Sequence, residues 1–308
     1  MVQLDEFELL AAQVSNWGRW GTGDQRGTLN FITPAVVARS AAAVVTGEVF
    51  SLGMDLSPAG PQTGIVAGRI NPLRTMLAIN KPIRPAGDSP AYSDDIVTMP
   101  IQGATHWDAL SHMSRGGVLY NGIPADVIGA DGAAKLGIDA AGVIFSRGVL
   151  LDVARHEHVD KLPNRYEISN QVLREVEAAQ GTPVREGDIV LIRTGACGAF
   201  LRGDRAGYRA DPSGLVYDAP LFFSERSVAA VAIDNMPAEL RSPDPSAVDL
   251  PVHVLCLIMM GLPLGENWVL EGLAEACDRD RRYSFLLSAT PERFLYSTGG
   301  MVNPVAVR

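Results

Sequence analysis

The chain has 308 residues, 47% apolar and 20% charged, with a formal net charge of −9. That balance fits a globular protein with a sizeable core and excludes a disordered chain. The acidic excess, with no basic run anywhere, argues against a nucleic-acid partner, which needs clustered lysine and arginine.

The opening "MVQLDEFELL" is acidic and lacks the basic start and apolar stretch of a secretory signal. An early helix is predicted over "TPAVVARSAAAVVTGE", with Thr33 as cap, Pro34 in the first helical position and Gly47 as its end. Residues 56–92 are rich in proline and glycine and show no periodicity, which predicts an irregular functional lid or arm. "GADGAAKLGIDAAG" (129–142) predicts a loop with a short helix.

From there strand and helix alternate. "GVLLDVA" (148–154) predicts a buried strand. "SNQVLREVEAAQG" (169–181) predicts a helix capped by Ser169 and stopped at Gly181, with Val172, Leu173 and Val176 inward. "EGDIVLIRTG" (186–195) predicts a turn and strand, and "VAAVAIDN" (228–235) a strand ending at Asp234. "YSFLLSA" (283–289) predicts another. The longest apolar run, "VHVLCLIMMGLPLG" (252–265), is shorter than the roughly 20 residues that span a bilayer. The alternation indicates an α/β fold. No flexible linker divides it, so residues 1–308 are expected to form one domain, with residues 1–50 as an amino-terminal arm and helix. Cys197, Cys256 and Cys277 are widely spaced and odd in number, the usage of reduced thiols, and a cytoplasmic location is expected.

The densest chemistry lies in "IQGATHWDALSH" (101–112). Gln102, His106, Asp108 and His112 all sit at even positions, yet a straight strand would hold residues 102 and 112 roughly 33 Å apart. His106 and Asp108, two residues apart, point to the same side of a strand and can converge on one ion. Gly103 allows a bend that returns Gln102, and a helix starting near Asp108 would set His112 over the same face. The residues alone leave a second reading open, in which Asp108 caps a helix and His112 is a hydrogen-bonded core histidine. "RHEHVD" (155–160) has metal-like composition but is read as a solvated surface segment.

"GATHWDALSH" followed by "YNGIP" resembles the signature of the cyclase family that includes bacterial kynurenine formamidase and isatin hydrolase. "NWGRWGTGDQRGTLNFITP" (16–34) resembles the amino-terminal signature of its longer members. "RGVLLDVAR", "GDIVLIRTG" and "VAAVAIDN" follow in the expected order. "HVLCLIMMGLPLGEN" (253–267) resembles the late metal-ligand segment, and "TGGMVNPVAV" the closing strand.

The resemblance implies a swivelling β/β/α fold and a divalent-metal hydrolase. The family motif H-x-x-x-H-x-D-x-x-x-H places His106, Asp108 and His112 in its last three positions, whereas its first histidine is here Gln102. The late ligands correspond to His253 and Glu266. The family's two-metal members bridge their ions with a carboxylate like Asp108 or Glu266; with one imidazole fewer, one ion or two stays open, and imidazole with carboxylate suits Mn²⁺ or Zn²⁺. His112 is the expected general base and acid. Gln102 is either a further ligand or a substrate contact.

The expected reaction is hydrolysis of a non-peptide C–N bond, in an amide or lactam of a small cyclic or aromatic substrate. Trp17, Trp20, Trp107 and Tyr120 are candidates for its aromatic wall, with ordinary core packing as the alternative. Two other functions stay open: a metal-dependent dehydratase or cyclase acting on a carbonyl metabolite, and a binding homologue silenced by Gln102. The expected partner is a small molecule, neither nucleic acid nor membrane, and the expected assembly a homodimer or homotetramer.

Overall fold

A computed structural model describes residues 4–308 apart from 63, 65, 86, 209–211, 242, 243, 245 and 246. In chain order its principal strands are β1 (Val49–Ser51), β2 (Leu73–Pro82), β3 (Ala91–Thr98), β4 (His106–Asp108), β5 (Phe145–Asp152), β6 (Ile189–Arg193), β7 (Ala230–Ile233), β8 (Leu264–Glu266), β9 (Ser284–Ser288), β10 (Gly299–Met301) and β11 (Val305–Val307). Nine of them form one mixed sheet in the order β1-β11-β9-β5-β6-β7-β8-β4-β10. The middle strands β5, β6, β7 and β8 run parallel, and β4 joins β8 antiparallel.

The parallel strands read as unbroken apolar runs because both faces are covered. Val149, Leu151, Val190, Ile192, Val231 and Ile233 point into one core cluster. Their alternating neighbours Leu150, Ile189, Leu191, Ala230 and Ala232 point into another. The first core is covered by helices α1 (Leu4–Val14), α3 (Asn170–Gln180) and α4 (Ala219–Glu225), the second by α5 (Glu271–Asp280).

Several sequence expectations hold to within three residues. Helix α3 is capped by Ser169, whose Oγ accepts from Val172 N, and stops at Gly181 in the left-handed region. The predicted strands at 148–154, 186–195, 228–235 and 283–289 are β5, β6, β7 and β9. The short helix in 129–142 is Ile138–Ala141.

Two expectations are corrected. The helix expected from Pro34 to Gly47 is capped by Thr33 but ends early. Helix α2 covers Pro34–Ser40, and Ala41–Ala43 tighten into a 3-10 turn. The run of alanines carries no polar stop signal, so the end is set by packing rather than by Gly47. The stretch 56–92 is also not wholly irregular. Its second half enters β2 of the β2–β3 ribbon, an antiparallel pair outside the main sheet and exposed along nearly its whole length. Register shifts at Met76/Ala78 and Ala78/Lys81 break the two-residue alternation that would have betrayed a strand.

The arm before α2 is pinned to the segment that follows His253. Val254–Met260 adopts a π-helix, whose last carbonyls have no partner further along it. Trp17 Nε1 donates to Ile258 O at 2.7 Å, and Asn16 Nδ2 to Met260 O at 2.9 Å. Among the described residues no helix is long and apolar enough to cross a membrane.

Candidate metal centre

Strand β4 carries the opening motif. His106 and Asp108 share one face of it, as expected from their spacing, and Trp107 points to the other, into the second core. Asp108 starts no helix, which corrects that expectation. The chain after it turns tightly, with His112 N donating to Ala109 O at 2.9 Å. The turn still returns His112, whose Nε2 stands 3.7 Å from Asp108 Oδ1.

Strand β8 brings the second half. Glu266 is the register partner of His106, and Gly265 that of Trp107. Gly265 has no room for a side chain: a Cβ there would lie 2.7 Å from Trp268 Nε1, 2.8 Å from Ala232 Cβ and 2.9 Å from the Trp107 ring. This crowding sets the close approach of β8 to β4. His253 comes from the short helix Pro251–His253 that precedes the π-helix.

His106, Asp108 and Glu266 therefore face one point, and His253 stands against the other oxygens of the same two carboxylates. His106 Nε2 lies 3.5 Å from Asp108 Oδ1 and 3.6 Å from Glu266 Oε2. His253 Nε2 lies 3.8 Å from Asp108 Oδ2 and 3.6 Å from Glu266 Oε1. These separations are too long for good hydrogen bonds. They are close to the roughly 3.4 Å edge of a tetrahedron with ~2.1 Å metal–ligand bonds. His106 Nε2 and Asp108 Oδ1 are buried with no hydrogen-bond partner. Because a buried polar atom left unpaired is costly, the donor set fits a cation bound between them. Among the described residues His106, Asp108 and Glu266 are the group of acidic, histidine or cysteine side chains close enough to hold a metal ion.

The other ring nitrogens are tied back, which aims the free ones inward. His106 Nδ1 is 2.7 Å from Ala104 O. His253 Nδ1 bonds the buried Glu239 carboxylate, which also accepts from the backbone N–H groups of Val252 and His253 at 2.8 Å each. Glu266 Oε1 accepts from Ala238 N at 2.8 Å. Burial disfavours protonation of His106 and His253, yet the surrounding carboxylates outweigh it and raise both, His253 well above its ordinary value. Burial would raise Asp108, but the charges of His112, His106 and His253 hold it below the usual carboxylate range. The local field favours positive charge at this point.

Sequence reasoning missed Glu239. It lies in "DNMPAEL", just past the end of β7, and an isolated acid between apolar residues after a proline was the available signal.

Gln102 is buried, but its Nε2 donates to Thr298 Oγ1 at 3.4 Å and sits against Gly299, the register partner of Asp108. Its amide therefore lies over β10 on the face that carries Asp108, beside the cluster.

A cavity of about 310 Å³ opens on the site. His112, His253, Glu266 and Glu239 line one part. Met113, Met236, Pro237, Leu240 and Leu250 supply apolar wall, and Arg69, Arg165 and Arg241 also line it. The expected aromatic wall is not part of this lining. Trp107 is fully buried against Trp268 with its Nε1 on Ala289 O, and Tyr120 is buried with its hydroxyl on Asp24. Trp20 stacks edge-on to Phe31, and Trp17 serves the π-helix carbonyls. Each ring satisfies its polar atom or its packing elsewhere. "RHEHVD" lies at the surface, with His158 exposed.

The sequence model of the cyclase family matches residues 27–239, more than half of the chain. Among solved structures, one described as a novel cyclase is 36% identical, with a TM-score of 0.86 over 96% of this chain and 99% of that one. Isatin hydrolase A from Labrenzia aggregata, bound to benzyl benzoate, is 18% identical with a TM-score of 0.64, covering 88% of this chain and 96% of that one. A predicted metal-dependent hydrolase from Bacillus stearothermophilus is 17% identical with a TM-score of 0.51, covering 84% and 97%. No curated protein matches. The last two likenesses establish the fold, the swivelling β/β/α architecture that the resemblance implied.

Proposed function

The chain belongs to the cyclase family, and from that premise we propose that it is a divalent-metal-dependent hydrolase acting on an amide or lactam C–N bond of a small substrate. The observation that carries this is the pair of unpartnered buried atoms, His106 Nε2 and Asp108 Oδ1, facing His253 and Glu266 beside a cavity. His106, Asp108, His253 and Glu266 would hold the ion. Zn²⁺ and Mn²⁺ both suit this donor set, and Gln102 is a candidate fifth donor if its amide turns from Thr298. When bound, such a cation acts as a Lewis acid and lowers the pKa of water toward ~7.

The protein's own groups do the rest. His112 is a fifth exposed at its side chain, opens on the cavity and is oriented by Asp108. It takes the proton of the attacking water and returns it to the leaving nitrogen, so the C–O bond forms, the C–N bond breaks and a carboxylate and an amine result. Asp108 keeps the imidazole in place and stabilises its charged form. Met113, Met236 and Leu250 exclude bulk water around the reacting carbonyl.

The fold shared with isatin hydrolases supports a cyclic amide as one substrate form. A second reading, dehydration or cyclisation of a carbonyl metabolite, draws support from the solved cyclase at 36% identity. Incubating the protein with Mn²⁺ or Zn²⁺ and a panel of N-formyl anilines, isatin-like lactams and cyclic imides tests the proposal. Acid release is expected. Loss of water from a carbonyl substrate without any C–N cleavage would establish the second reading instead. A small-molecule substrate, a homodimeric or homotetrameric assembly and a cytoplasmic setting belong to the same proposal.

A further inference from the structure

The chain carries a net charge of −9, yet three arginines line the cavity that opens on the proposed metal centre. Glu239 and Glu266 also line it, but both are engaged at the proposed metal centre, so the arginines are the charges an entering anion would meet. The three are not equivalent. Arg241 is paired with Asp249 at 3.1 Å, and both are exposed. Arg165 is exposed and donates to Arg241 O at 3.4 Å. Arg69 is half-buried, and its Nη1 approaches the Met236 sulfur at 3.6 Å. Among the described residues no carboxylate pairs with Arg69. A thioether is a weak acceptor, so the guanidinium keeps its fork of donors for something else.

Its position is tied to the reacting end. Met236 is two residues before Ala238, whose N–H holds Glu266 Oε1, so one short segment joins the arginine's contact to the metal centre. Met236, Pro237 and Leu240 supply the apolar wall along it.

We propose that Arg69 anchors a carboxylate carried by the substrate, so that the enzyme prefers small amides or lactams bearing an anionic group. This rests on the hydrolase reading and adds a substrate class to it. A bidentate guanidinium–carboxylate contact fixes orientation as well as affinity, which sets the carbonyl toward His112.

The test uses the metal-loaded protein with the 2-, 3- and 4-(formylamino)benzoates, each against its neutral formylaminobenzamide. At least one carboxylate is expected to be favoured by about tenfold or more in kcat/KM, the usual worth of a hydrogen-bonded charge. Arg69→Met should bring that ratio close to one, and Arg69→Lys should restore part of it. Equal use of the neutral partners overturns the proposal. So does a preference that survives Arg69→Met, or one that follows Arg165→Met instead.

If no member is hydrolysed, the reaction class has failed but the anchor is still decided by binding. Titration of the aminobenzoates against the aminobenzamides, followed by thermal shift, should then show carboxylate-selective stabilisation that Arg69→Met abolishes. Absence of that selectivity overturns the anchor on its own.

Discussion

His106 and Glu266 lie 160 residues apart in the sequence and stand directly opposite each other as register partners of β4 and β8, with Nε2 and Oε2 3.6 Å apart. Two backbones thus position the centre of the donor set. His253 is held separately by Glu239, so the site has one part fixed by strand pairing and one part fixed by a buried carboxylate.

This division predicts different losses of metal. Elemental analysis of protein purified without chelators should find Zn²⁺ or Mn²⁺. His106→Ala should lose it, because a direct donor is gone. Glu239→Gln should keep the fold but bind the ion roughly 10–100-fold more weakly, the usual effect of removing the partner of a metal-binding histidine. Equal affinity in Glu239→Gln and wild type would show that His253 does not bind the ion.

His112 should behave in the opposite way. His112→Ala is expected to retain metal by titration yet lose roughly 10²–10⁴ in turnover, the range for positioned proton transfer. If metal is lost in parallel with activity, His112 is a ligand and the proton acceptor must be sought elsewhere.

At residue 102 the expected outcome is a gain. Gln102→His replaces a neutral amide beside β4 with an imidazole and should tighten Zn²⁺ binding, since nitrogen donors of that kind suit zinc better than an amide oxygen. Unchanged affinity in a direct competition titration would mean that residue 102 serves only its contact with Thr298.

Gly265→Ala probes the strand pairing itself. The added methyl would press on Trp268, Ala232 and Trp107, three fully buried groups. A loss of about 1–3 kcal/mol is expected from overpacking. Chemical denaturation measures it, and metal affinity should fall together with stability because Glu266 is the next residue. A neutral effect on both would show that β8 can shift without cost.

The salt bridge of Glu177 with Arg226 predicts a pH dependence away from the site. Burial alone would raise Glu177, but hydrogen bonds from Arg226 and Val184 N, with the charges of Arg226 and Arg174, lower it below its ordinary value of 4.5. A depressed carboxyl contributes stability above its unfolded-state pKa and loses it as pH falls through the folded value. Glu177→Gln should therefore cost about 1–2 kcal/mol near pH 7 and much less once the wild-type carboxyl is protonated in acid. Urea midpoints for both proteins from pH 7 to pH 3 check this, and a constant difference across the range would contradict it.

The sequence by itself determined the α/β class and the ends of α3. Ser169 and Gly181 act through hydrogen bonds and backbone angles within a few residues. It also determined that His106 and Asp108 share a face, which follows from the two-residue period of a strand. Family motifs added His253 and Glu266 and the fold.

Tertiary structure decided the rest. The convergence of His253 on Asp108 depends on packing between distant segments. So does the role of Glu239, because a carboxylate becomes a histidine's partner only where the chain returns to it. Trp17, Trp20, Trp107 and Tyr120 carry the same aromatic signal whether they face a ligand or a core, and only their neighbours distinguish the two. The cavity arginines are likewise ordinary surface cations in one dimension, because spacing along a chain carries no record of which side chains meet across a pocket.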